Sequence, residues 1–308
     1  MVSASAPGKI ILFGEHAVVY GRPAIAVPVS QVRATALVEE APPGSGLTLV
    51  APNLERSVHL DKAGAEDPLA AIALLTLAHL GQPAPDAVLT VSSAIPIAGG
   101  MGSGAAVSTA IARALAAFLG HKLPPADISS LVYEVEKIHH GTPSGIDNAV
   151  VAYERPIYFI RGRPAETFSA GAPLYILIAD SGTPSLTREV VAAVREAQER
   201  HPAQYDFVFD RIGELVDEAR QAIEEGDIYT LGALMDQNQE LLREIGVSSS
   251  ELDRLVEAAC IADALGAKLS GAGRGGNVIA LVEEETADEV RESLIDAGAG
   301  RVILTTLE

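Results

Sequence analysis

The stretch VLTVSSAIPIAGGMGSGAAVSTAIARALAAFLG (88–120) decides the fold class. Val88–Ser92 has the β-branched, alternating look of a strand, AIPIAGGMGSG is a glycine-rich loop, and AAVSTAIARALAAFLG reads as a buried helix ending at Gly120. Strand, loop, helix is the order a phosphate site wants. Four of the six residues Gly99 to Gly104 are glycine, so the backbone can take positive φ and approach a ligand closely, while the helix behind it offers unpaired N–H groups to an anion. Taken alone, the same loop could be a flexible turn before a helix. Two rival phosphate motifs fail. No Gly-Lys-Ser or Gly-Lys-Thr occurs anywhere, which excludes a Walker loop. A dinucleotide fingerprint laid on Gly100, Gly102 and Ala105 lacks its acidic ribose partner, since GHKLPP (120–125) stands where one is needed. Gly271, Gly273 and Gly276 match the same pattern, but the strand-like NVIALV follows them instead of a helix.

Outward from the loop, Pro124-Pro125-Ala126-Asp127 opens a second helix through His139, with Ile128, Leu131, Val132, Val135 and Ile138 at helical spacing. It runs into EVEKIHHGTPSGIDN (134–148), which is denser in chemistry than ordinary surface helix. The helix delivers Glu136 and then stops, because Gly141, Pro143 and Gly145 cannot continue it, so Asp147 is expected in a tight loop where a carboxylate can sit beside a reacting hydroxyl. Glu136 by itself reads equally well as a solvated helix carboxylate. His139 and His140 point to different helix faces and make a poor chelate. Upstream, APGKIILFGEHAVVYG (6–21) places Lys9 at a strand start and Glu15-His16 just past the strand's end. Lys9 is one of five lysines; a partly buried lysine needs an anionic partner or has a catalytic task, whereas one near a strand end is commonly a surface charge.

The rest of the chain bounds the answer. Its 308 residues, 48% hydrophobic, supply enough apolar material for one large core or two domains sharing a cleft. The formal charge of −19 opposes nucleic-acid and anionic-membrane binding. The charge is uneven: residues 1–150 carry 8 basic and 12 acidic side chains against 14 and 29 in 151–308, so the first half is better placed to receive an anionic ligand. Cys260 is the only cysteine, which rules out an internal disulfide or thiolate cluster and fits a reducing cytoplasm. MVSASAPGKIILFGEH reads as neither signal peptide nor anchor, and no apolar run approaches the ~20 residues of a membrane span. KIILF (9–13), 24–38 and LYILIAD (174–180) read as strands. The stretches 187–200, 205–225, 228–245 and 249–265 read as helices, followed by a strand, a glycine loop, a strand, a last helix (286–297) and the strand RVILTTLE. The C-terminal half is therefore expected to be α+β with a small mixed sheet, beyond a break near 153–173.

Together and in this order, APGKIILFGEHAVVYGRPAIA, PIAGGMGSGAA, HGTPSGIDNAV and KLSGAGRGGNVIAL resemble the motifs of the GHMP family of small-molecule kinases. GEHAVVYG is nearest to the members that phosphorylate mevalonate, where galactose-specific members would read GEHTDY. The resemblance implies an α+β fold of two domains, 1–165 and 166–308, with the active site in the cleft between them. It also implies ATP and Mg²⁺ as cofactors and phosphorylation of the primary hydroxyl of mevalonate. Carried over by position, Asp147 is similar to the catalytic carboxylate and Lys9 to the lysine that pairs with it. Pro96, Ile97, Ala98, Gly99, Gly100, Met101, Gly102, Ser103, Gly104, Ala105 and Ala106 match the triphosphate loop. Glu136 matches the magnesium ligand. Glu15 and His16 look like acceptor-pocket residues, Ser144 and Gly145 fall at substrate positions, and Thr187, also counted with the substrate, resembles a threonine near the reacting phosphate. Three places depart from the family pattern. Gly104 replaces a serine that usually ligands magnesium, leaving Ser103 or a water for that position. Ala98 replaces a glycine, and Arg274 stands where glycine is common, either to contact phosphate or as a loop surface charge. Homodimers are common in the family, though the sequence displays no interface. A phosphomevalonate kinase, a related decarboxylase and a non-catalytic sensor on the same fold are the alternatives; a sensor would have no need of Lys9, Glu136 and Asp147 together.

Overall fold

Buried Ala87, Leu89 and Val91 alternate with half-buried Val88 and Thr90, and this period of two makes 87–93 a strand with one face on a core. The computed structural model describes residues 1–64, 66–96, 100–140 and 143–308, with backbone alone at His139 and His140. Along the chain run β1 (Val2–Phe13), β2 (Ala24–Glu40), β3 (Leu47–Ala51), β4 (Arg56–His59), α1 (Pro68–Leu80), β5 (Ala87–Ser93), α2 (Ser103–Phe118), α3 (Pro125–His140), α4 (Ile146–Tyr153), β6 (Ile157–Phe159) and β7 (Glu166–Thr167). They are followed by β8 (Leu174–Asp180), α5 (Thr187–Arg200), α6 (Pro202–Glu225), α7 (Ile228–Glu244), α8 (Ser250–Ile261), β9 (Gly266–Ser270), β10 (Asn277–Val282), α9 (Ala287–Asp296) and β11 (Arg301–Leu307). These group into a first unit of 1–9, 32–96 and 102–154 and a second built chiefly from 10–31 and 155–308.

In the first unit the later half of β2 runs antiparallel to β5, with Ala36 opposite Val91 and Val38 opposite Leu89; β5 is parallel to β3, and β3 antiparallel to β4. Helices α1 to α4 pack on one another, and α2 packs on β5. Alanine makes this possible: Ala105, Ala106, Ala110, Ala112, Ala114 and Ala116 are all buried, and their small side chains let helix and strand backbones approach closely. Each helix has a local reason to start or stop. Asp67 caps α1 by accepting from the amides of Leu69 (3.0 Å) and Ala70 (3.4 Å), and Gly81, at φ 63°, ends it.

The second unit holds a sheet of order β11-β8-β10-β9 in which every neighbouring pair is antiparallel. The mixed sheet expected from strands separated by helices is corrected here. The loop 271–276 closes a plain β9–β10 hairpin, and the four helices α5 to α8 return the chain to an edge position, so no parallel crossover forms. Leu177, Ala179, Leu269, Val278 and Ala280 face the same core as Phe209, Ile212 and Leu255 from the helices. Helix α7 meets β9 glycine to glycine: a Cβ on Gly232 would lie 2.2 Å from the Leu265 carbonyl, and one on Gly266 only 2.1 Å from the Gly232 carbonyl. The first residues of β2 pair with β6 in this unit, Ala24 opposite Phe159. Among the described residues no helix is long and apolar enough to cross a membrane.

Candidate active site

Lys9 lies inside β1, not at a strand start, and its side chain is only 5% exposed. A buried ammonium needs a counter-charge, and it has one: Lys9 Nζ stands 2.9 Å from Asp147 Oδ1. The reading of Lys9 as a surface charge is thereby set aside. Asp147 does not sit in a loop, as expected, but in the first turn of α4. The glycines stop α3 as read, yet Gly145, at φ 92°, serves as N-cap for a new helix, IDNAVVAY, whose apolar residues are buried. A carboxylate there is favoured by the helix dipole. Ser144 supports the turn through its Oγ, which accepts from the Ile146 amide at 3.4 Å.

Helix α3 brings Glu136 into the same environment. Its carboxyl is pushed up from 4.5 to about 8, chiefly by burial and then by the charge of Asp147, with Lys9 pulling the other way. Two carboxylates share one ammonium, so the cluster carries more negative charge than Lys9 can offset. Burial limits how far water can solvate Glu136, and without a further cation it keeps its proton near neutrality. Among the described residues no group of three or more His, Cys, Asp or Glu could hold a metal alone. A divalent cation here would lean on these carboxylates, a hydroxyl and its substrate's oxygens, which is the ordinary manner of Mg²⁺. The donor set fits that ion.

The glycine turn reaches this cluster. Gly102, at φ 68°, is the N-cap of α2, and a Cβ there would come within 2.9 Å of Lys9 Cγ and 3.2 Å of Lys9 Cε. Glycine is required on both counts. The first amide of α2 to find its helical acceptor is Ala106 N, bonded to Gly102 O at 3.0 Å; those of Ser103, Gly104 and Ala105 come before it and stay available to an anion. Gly104 is exposed, and no heavy atom of the described residues lies within 4 Å of where a Cβ would be. Gly100 also has positive φ (69°), while Met101 is buried. Pro96 and Ala105 to Ala106 flank the loop; Ile97, Ala98 and Gly99 lie outside the described residues, as do the side chains of His139 and His140.

Glu15, His16 and Thr187 belong to the second unit. Glu15 and His16 are buried, and His16 adopts φ 61°, a strained conformation for a residue with a side chain. His16 Nε2 lies 2.9 Å from the Ala272 carbonyl, which can only accept, so Nε2 carries the hydrogen and Nδ1 is left as an acceptor. Burial holds this imidazole neutral, down to about 4, with Arg274 nearby acting in the same direction. Arg274 Nε also donates to the Gly246 carbonyl at 3.1 Å, so part of its guanidinium works as a loop tie. Thr187 is the exposed first residue of α5.

Two residues escaped the sequence reading. Lys268 on β9 is fully buried and pairs with Glu15, and burial pulls its ammonium below the usual lysine value while Glu15 pushes it back. Its rarity as one of five lysines, inside an apolar run, was the available signal. Asn148 follows Asp147 and donates to the carbonyl (3.0 Å) and hydroxyl (2.8 Å) of Ser129 on α3, tying together the helices that carry Asp147 and Glu136. Its neighbour's chemistry hid it.

Comparison with known proteins gives the family of the chain. The family model for the GHMP kinases N terminal domain matches residues 68–155, and that for GHMP kinases C terminal matches 219–300. The mevalonate kinase of Thermococcus sibiricus is 34% identical, over 99% of this chain and 96% of its own, and that of Aeropyrum pernix is 35% identical over 96% and 93%. The crystal structure of L. major mevalonate kinase in complex with R-mevalonate superposes with a TM-score of 0.85 at 28% identity, covering 100% of this chain and 96% of that one. With both family models matched in order and relatives of 34–35% identity along nearly its whole length, this chain belongs to the GHMP kinase family.

Proposed function

We propose that this chain transfers the γ-phosphoryl group of ATP to the primary hydroxyl of mevalonate, giving 5-phosphomevalonate. One observation carries the reading: Lys9 touches both other parts, its ammonium on Asp147 and its stem against Gly102 at the start of α2. The similarity to mevalonate kinases across almost the whole chain, and the mevalonate held by the L. major relative, support the choice of acceptor.

Phosphoryl transfer asks a protein mainly for position and charge neutralisation. The available amides of Ser103, Gly104 and Ala105 bind phosphate oxygens, helped by the α2 dipole. Lys9 holds Asp147 in place and offsets charge on the transferring group. Asp147 lies where it can orient the acceptor hydroxyl; because an alcohol's pKa is far above 7, its carboxylate takes the proton late, as the O–P bond forms. Neutralisation of the charge on the phosphate oxygens is the chemistry that Mg²⁺ would supply here. Glu136 would hold the ion, with the Ser103 hydroxyl or a water in the place of the serine that Gly104 lacks. Glu15 and His16 are assigned to the acceptor, where the bare Nδ1 of His16 accepts from a hydroxyl. Thr187, at the start of α5, is assigned to the same pocket.

The test is ADP release with mevalonate, phosphomevalonate, homoserine or galactose as acceptor. Turnover with mevalonate well above the other three is expected. Preference for any of the others, or ATP turnover indifferent to acceptor, would remove this assignment.

A further inference from the structure

We infer that Lys268 is a positioning residue for the acceptor-binding turn, and that the segment Lys268–Ala272 acts as a clamp on residues 11–16. The inference rests on the assignment of Glu15 and His16 to the acceptor. The turn that bears them is under strain: Gly14 is at φ 95° and His16 at φ 61°. Gly14 also packs so closely that a Cβ on it would lie 2.5 Å from Ala24 Cα. Strained backbone persists only where surrounding contacts over-determine it. Every second residue of the opposing segment supplies such a contact. Lys268 Nζ donates to Glu15 Oε1 and, at 2.7 Å, to the Leu269 carbonyl. Ser270 Oγ donates to the Ile11 carbonyl at 2.8 Å and accepts from the Ile11 amide at 3.2 Å. The Ala272 carbonyl receives His16 Nε2 at 2.9 Å.

By alternation Lys268 and Ser270 share one side of β9, and the Ala272 carbonyl follows just past the strand's end, beyond Gly271 at φ 97°. The partners of 268, 270 and 272 are Glu15, Ile11 and His16 in turn, all within the six residues 11–16. Lys268 contributes most, since both it and Glu15 are fully buried and a carboxylate there stays charged only while its counter-ion is present. Lys268 touches no reacting atom in this account. It acts through Glu15, by fixing where that carboxylate and the adjoining imidazole point. The stretch KLSGAGRGGNVIAL, read from sequence as a strand, a glycine loop and a strand, is in this view first a support for APGKIILFGEHAVVYG.

The experiment measures steady-state KM for ATP and for mevalonate, with kcat, in wild type, Lys268→Met, Lys268→Arg, Ser270→Ala and the double variant Glu15→Gln/Lys268→Met, with thermal unfolding as a check on folding. Displacing a binding turn by about an ångström raises the acceptor KM of Lys268→Met about tenfold or more. The KM for ATP is expected to stay within about twofold. Ser270→Ala, which leaves no buried charge, moves the acceptor KM in the same direction by a smaller factor, so it remains informative if Lys268→Met does not fold. The double variant recovers folding without recovering the acceptor KM. Equal rises in both KM values, an unchanged acceptor KM in Ser270→Ala, or full recovery in the double variant would overturn the inference. Absence of mevalonate turnover in wild type sinks the functional reading instead; the acceptor KM is then followed with whichever alcohol wild type phosphorylates.

Discussion

Two lysine–carboxylate pairs, built from the same chemical groups, sit in opposite surroundings. Lys268 and Glu15 are sealed, both side chains at 0% exposure, whereas Asp147, the partner of Lys9, is 29% exposed and shares its cation with a second carboxylate, Glu136. A sealed pair has little freedom to exchange a proton or admit a ligand, and its worth lies in holding a shape. An open pair with surplus negative charge can receive a cation, a proton and a substrate hydroxyl. Burial of the partner carboxylate, more than residue type, separates the lysine proposed to hold a shape from the one proposed to act in the reaction.

The comparison is broken most directly by removing each lysine. Lys9→Met should reduce kcat by about 10²-fold or more, because it removes a charge used in the transition state. Its effect on stability should be ~1 kcal/mol or less, since water reaches the Asp147 it leaves behind. Lys268→Met should do the reverse, destabilising by about 3–5 kcal/mol in urea unfolding because it removes one member of a fully buried ion pair. If the two variants lose the same stability, the environments are not different in kind. Gly102→Ala comes next. Its Cβ would strike the Lys9 stem from a left-handed backbone position, so kcat should fall by about tenfold or more while the fold, followed by circular dichroism, survives.

The shared cation predicts a pH dependence with a definite sign. Glu136 titrates at about 8 in the folded protein against 4.5 as its ordinary value, so between these the folded state binds the extra proton. Stability from this group is complete below the ordinary value and is lost as pH rises through the folded one. In metal-free buffer, wild type should therefore lose melting temperature relative to Glu136→Gln as pH rises from ~5 to ~8.5. Parallel curves would show that Glu136 is not held protonated. Mg²⁺ must displace that proton, so its affinity should climb over the same range in wild type and stay flat in the variant, as read by calorimetry. The smallest effect is expected of Gly104→Ser, which adds a hydroxyl at an exposed position and should tighten Mg²⁺ by a few-fold in the same titration.

Most of the architecture was legible because it obeys simple periods. The alternation over 87–93, the alanine-rich α2 and the four helices between β8 and β9 all fall close to where spacing puts them. Sheet direction was not legible, because helices between strands suit parallel and antiparallel returns alike, and only the β9–β10 hairpin settles the matter. Helix α4 was hidden because a glycine usually read as a helix breaker, Gly145, is the N-cap of a new helix. At the candidate site, Lys9, Asp147, Glu136 and Gly102 could be named from motifs, but that Lys9 touches two of the others is a long-range fact that no local pattern encodes. Lys268 and Asn148 were missed for the same reason: their partners lie at residues 15 and 129.

Asp147→Asn is the most direct test, because it keeps the shape of the side chain and removes only its charge and proton capacity. With ATP, Mg²⁺ and mevalonate, ADP release should fall by about 10³-fold or more while nucleotide affinity stays within about threefold of wild type. Turnover near that of wild type would contradict the account, since the carboxylate beside Lys9 would then take no part in the reaction.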